Sequence, residues 1–72
     1  MTAKMLVKLA ENIDKKVEVH LKNGEKLRCK PQQYLEEDYE SFLVETYENY
    51  GSYSAGMLVE LEEDQISTVK KI

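Results

Sequence analysis

The polar and apolar positions change period twice along the chain. Met5, Leu6, Leu9, Ala10 and Ile13 recur at helical spacing, with Lys4, Lys8 and Glu11 off that stripe. This predicts a helix over about residues 3–12, with Thr2 placed to cap it. The period then becomes two: Val17, Val19 and Leu21 alternate with Glu18, His20 and Lys22, as in a strand with one buried face. Asn23-Gly24 follows, a strong hairpin signal because both residue types tolerate positive φ. The return strand turns Leu27 and Cys29 inward and meets Pro31, which marks an edge, a bulge or an end because it has no N–H to donate. Tyr34 and Leu35 resume the pattern.

Glu36-Glu37-Asp38 is a polar break, and Ser41 to Glu45 reads as a third strand built on Phe42, Leu43 and Val44. Residues 47–56 carry Gly, Ser and Asn at turn density and read as a loop. Met57 to Leu61 is a fourth strand, Glu62-Glu63-Asp64 a tight connection, and Ser67 to Ile72 a fifth strand. A helix competes at this last segment, since Ile66, Val69 and Ile72 are spaced by three, but β-branched density favours the strand. The expected fold is mainly β: an N-terminal α-helix, then a five-stranded antiparallel sheet. Five short strands bury a core most economically when the sheet bends strongly on itself into a small barrel of SH3-like size.

At 72 residues the chain is one small domain, residues 1–72. Such a domain buries only roughly 60% of the surface of its unfolded chain, so self-association is expected. The apolar runs are far shorter than the about 20 residues of a membrane span, and the N-terminal residues lack a signal-peptide core. Cys29 is the single cysteine, which excludes an internal disulfide and fits a reduced, cytoplasmic setting.

Charge is segregated. Residues 1–30 hold eight bases against four acids, residues 31–64 hold ten acids and no base, and the last eight add Lys70 and Lys71, for a net charge of −4. Either the two halves pair their solvated faces, or the molecule has one basic face and one acidic face.

The helix followed by Val17-Glu18-Val19-His20-Leu21-Lys22-Asn23-Gly24-Glu25-Lys26-Leu27 resembles the first motif of the Sm-like family, which includes Sm and Sm-like (LSm) proteins and the bacterial host-factor RNA chaperone. Gly56-Met57-Leu58-Val59 followed by Gln65-Ile66-Ser67-Thr68-Val69 is similar to the second motif, with Ile66-Ser67-Thr68-Val69 most like the bacterial branch. The resemblance covers nearly the whole chain, as a divergent member. It implies a homo-oligomeric ring closed by the fourth strand of one copy pairing with the fifth of the next. Met57, Leu58, Val59 and Leu61 would meet Thr68, Val69 and Ile72 there. It also implies RNA association.

The family's base-holding loop is replaced here by Glu36-Glu37-Asp38-Tyr39-Glu40-Ser41, with an acid and an aromatic but no asparagine. The loop between the last strands, basic in the family, is Glu62-Glu63-Asp64. An acid-lined opening repels phosphate, so RNA is not expected at the pore in the family's usual way, unless these acids are two solvated turns that never converge. Asp38, Tyr39 and Ser41 are the nearest stand-ins for a base-binding site. Lys4 and Lys8, with Lys15 and Lys16, offer a basic outer face or ordinary surface lysines. Tyr47, Tyr50 and Tyr53 have three readings: stacking on bases, anchoring a protein partner, or packing on their own barrel.

His20 lacks a second His or Cys for a metal site and a nucleophile for catalysis, and the acidic clusters lack calcium-loop spacing. The sequence therefore reads as a non-enzyme without a cofactor or metal. The function expected is a ring-forming, RNA-associated protein with an altered acidic pore. The alternative is a protein–protein interaction or scaffold module on the same barrel that does not bind nucleic acid.

Overall fold

The computed structural model of the chain describes residues 3–72. Helix α1 spans Lys4–Ala10 and buries Leu6 and Leu9 completely. It stops earlier than the apolar spacing predicts. Asn12 folds back to donate from Nδ2 to the Lys8 carbonyl at 2.7 Å, and Asp14 turns the chain at φ 63°. Ile13, the last member of the stripe, is therefore 45% exposed. The expected Thr2 cap lies outside the described residues. Ala3 occupies the cap position without a side-chain bond. The first-turn N–H groups are met from far away, because Glu63 accepts from Met5 at 3.0 Å and from Leu6 at 3.1 Å.

Strands β1 (Val17–Leu21) and β2 (Lys26–Leu35) form the predicted hairpin, with Val17 opposite Cys29 and Val19 opposite Leu27. Its turn differs in detail from the expectation. Gly24 has φ 94°, whereas Asn23 stays at negative φ and accepts the Glu25 N–H through Oδ1 at 2.9 Å. Pro31 lies inside β2, where the register with β3 (Ser41–Thr46) slips between Pro31 and Gln33. That bulge lets a residue without an N–H sit in an interior strand. Strand β4 (Leu58–Glu62) pairs with β3, a 3-10 turn at Glu63–Gln65 follows, and β5 (Ile66–Lys71) returns to pair with β1. The C-terminal segment is thus strand, not helix.

All pairings are antiparallel, in the order β4-β3-β2-β1-β5. The order leaves β4 and β5 as the two edges, with no β-pairing between them among the described residues. One core joins Leu6 and Leu9 of α1 to Val17, Val19, Leu21, Leu27, Cys29, Phe42, Val44, Leu61, Ile66 and Val69. Every strand contributes, and α1 packs on β2, β3 and β5. Burying a side chain of this size stabilises by about 1.5–3 kcal/mol, so α1 belongs to the core.

Candidate nucleic-acid interface

Three surfaces carry the residues that the sequence singles out. The first is an acidic cavity. Asp38, Tyr39 and Ser41 come together with Leu35, Glu37 and Glu60 around a cavity of about 250 Å³. Ser41 is fully buried, and its hydroxyl donates to Glu60 Oε2 at 2.6 Å. Tyr39 is 54% exposed, and the carboxylates of Glu60 and then Glu62 push its phenol above the usual range. The acids of β4 and of the 36–40 loop therefore share one region. Glu63 does not join them, because its carboxylate is bound to the first turn of α1.

The tyrosine loop is the second surface. It is tied down by its own chain. Thr46 Oγ1 donates to the Ser54 carbonyl at 2.6 Å and accepts from the Met57 N–H at 2.8 Å, and Asn49 Oδ1 accepts from the Ala55 N–H at 2.8 Å. Tyr50 and Tyr53 bond to each other through their backbones. Lys16 Nζ lies 5.1 Å from the Tyr47 ring centre, and the Arg28 guanidinium 4.3 Å from that of Tyr50. Tyr53 donates its hydroxyl to Glu25 at 3.3 Å. Each of the three rings thus touches a side chain of the sheet or of the segment leading into it. All three rings are half-buried, and desolvation raises the phenols of Tyr47 and Tyr53. Beneath them Glu18 faces His20 at 2.5 Å and accepts from Arg28 Nε at 3.1 Å, while Arg28 reaches Glu48 at 3.4 Å. These partners, His20 first and Arg28 next, hold the Glu18 carboxyl below its ordinary value of 4.5.

The third surface is a basic cleft of about 380 Å³ lined by Asn12, Lys15, Lys16, Lys71 and Ile72. Asn12 is only 5% exposed. Its amide orientation is set by the Nδ2 bond to Lys8, because a flip would oppose two carbonyl oxygens. Oδ1 is left as a buried acceptor with no partner among the described residues. An unmet buried acceptor is costly and marks a place where a donor is welcome. Lys4 and Lys8 are exposed on α1 but do not line the cleft. Sequence reasoning missed Asn12 and Lys71, which the β1–β5 pairing brings beside Lys16 by placing Lys71 opposite Val17. The only available hint was the lysine pair on each side of the strands.

The proposed subunit-contact residues divide. Met57, Leu58 and Ile72 are exposed, Val59 and Thr68 half-buried, and Leu61 and Val69 fill the chain's own core. Cys29 is buried in that core, where desolvation pushes its thiol up to about 12. Among the described residues no group of three or more His, Cys, Asp or Glu is arranged to hold a metal ion. No helix there is long and apolar enough to cross a membrane. No protein-family model matches the chain, and neither the curated proteins nor the solved structures return a match.

Proposed function

We propose that this chain is an Sm-like barrel subunit that assembles head to tail through β4 and β5, and that its ring contacts RNA on the basic outer side rather than at the acidic mouth. The strand order supports the assembly, since both edges are open and a closed ring would consume both. The short connection supports a bent sheet. Four Cα steps from Glu62 to Ile66 span at most about 14 Å, whereas the outer strands of a flat five-stranded sheet lie about 19 Å apart.

The basic cleft carries the RNA reading. Lys15, Lys16 and Lys71 supply charge for phosphate, and Asn12 Oδ1 beneath them is an acceptor that a ribose 2′-hydroxyl would reach only on a local opening of the cleft. At the mouth, Glu37, Asp38, Glu60 and Glu62 oppose a phosphate backbone. Fluorescence anisotropy of a labelled single-stranded oligoribonucleotide tests the reading. Binding weakens with salt, and Lys15→Ala with Lys16→Ala lowers the salt slope by about 1.4, at about 0.7 per phosphate contact. Equal loss of binding on replacing Tyr39 alone would refute the outer site. A second reading rests on the exposed Tyr39 beside acids, which suits a basic protein segment. It predicts binding of an oligo-arginine peptide and none of RNA.

A further inference from the structure

We infer that copies of this chain meet in one register, with Glu60 of one copy opposite Lys70 of the next and Leu58 opposite Ile72. The inference rests on the edge-to-edge assembly proposed above and specifies what aligns it. On β4, Leu58, Glu60 and Glu62 are exposed and alternate with the half-buried Val59 and buried Leu61. On β5, Lys70 is exposed and pairs across the sheet with Glu18, while Val69 is buried and pairs with Val19. Pleat parity puts Ile72 on the same side as Lys70.

In an antiparallel junction the numbers of opposed residues add to a constant, and only an even sum keeps core-facing side chains on core-facing side chains. The sum set by Glu60 and Lys70 also places Leu61 opposite Val69, so the two cores become continuous. Leu58 and Ile72, at 65% and 64% the two most exposed of the large hydrophobics, then cover each other; Ile72 closes one side of the basic cleft, while Lys15 and Lys16 lie outside both edge strands and stay open. Sliding two residues one way sets Leu58 against Lys70 and Leu61 against the exposed Ser67. Sliding two the other way sets Glu60 against Ile72 and leaves Leu58 with no partner. A parallel junction that keeps Glu60 opposite Lys70 sets Leu61 against Lys71. The first register faces Val59 with Lys71, yet it alone joins an opposite-charge pair, Glu60 with Lys70, to two apolar pairs; the first slide keeps only Val59 opposite Val69, and the second only Glu62 opposite Lys70.

Two experiments on the full chain test this. Glu60→Lys raises the protein concentration needed for assembly at low salt by about tenfold, and adding Lys70→Glu in the same chain restores it. Separately, Leu58→Cys with Ile72→Cys gives a ladder of oxidised oligomers, because directly opposed strand residues lie within disulfide reach. Leu58→Cys with Lys70→Cys does not, and the buried Cys29 stays out of the exchange. If the wild type assembles but the charge swap gives no rescue, or the 58/70 pair cross-links instead, this register is wrong and the ring reading stands. A wild type that stays a single chain overturns both.

Discussion

Glu63 holds the N-terminus of α1 across fifty-eight residues of sequence, accepting the Met5 N–H at 3.0 Å. The same carboxylate takes the Leu6 N–H, so the turn between the last two strands doubles as the cap of the first helix. Negative charge at a helix start is favourable, and loss of such a cap costs about 1 kcal/mol.

Glu63→Ala should therefore lower stability by about 1–2 kcal/mol, a fall in Tm of several degrees for a domain of this size. Glu63→Gln, which keeps an acceptor, should lose less. Urea and thermal melts of the two variants provide the comparison, and equal behaviour of Ala and wild type would remove the capping role.

Stability should also fall on the acid side through Glu18. Its folded-state value is depressed by His20 and Arg28, so its contribution is fully present above the unfolded value of 4.5 and is lost as the pH falls through the folded value. The gap in unfolding free energy between wild type and Glu18→Gln should be open at about pH 7 and narrowed at about pH 3. A gap that is constant with pH would show that the pairing has no energetic consequence.

Phe42 is completely buried in the core, with the Tyr34 ring centre 6.4 Å away. Phe42→Ala should cost about 3–5 kcal/mol, enough to remove much of the stability of a small domain. Circular dichroism with urea titration reads this directly, and a loss below about 1 kcal/mol would contradict the core described above.

Asn12→Ala removes one hydrogen bond to Lys8 and also an unmet acceptor, so its net effect on stability should be under about 1 kcal/mol. Its effect on binding should be larger for RNA than for DNA of the same sequence, because only RNA offers a 2′-hydroxyl donor. Matched oligoribonucleotide and oligodeoxyribonucleotide titrations measure the difference. An unchanged RNA-to-DNA ratio would exclude Asn12 from the contact.

Local pattern revealed what local physics controls. The alternation of Val17, Val19 and Leu21, and the inward Leu27 and Cys29, follow from a strand burying one face, and the hairpin sits where Gly24 permits positive φ. The end of α1 was illegible because Ile13 continues the helical spacing, while the chain leaves the helix after the Glu11 cap, with the Asn12 side chain bonded back to Lys8 and Asp14 at positive φ. Asp38, Tyr39 and Ser41, neighbours in sequence, line one cavity, but Glu60 enters it only through the β3–β4 pairing. The same limit hides the Lys16–Tyr47 and Arg28–Tyr50 contacts, and the junction of Asn12 with Lys71, because no residue of these pairs is near its partner in sequence. Glu63 looked like one more acid in a run, and only its distance from Met5 shows that it is a cap.

Size-exclusion chromatography with light scattering on the purified full chain tests assembly through the two sheet edges most directly. The account predicts a discrete closed species of several chain masses that persists on dilution in low salt. A mass of one chain across the whole concentration range would contradict it.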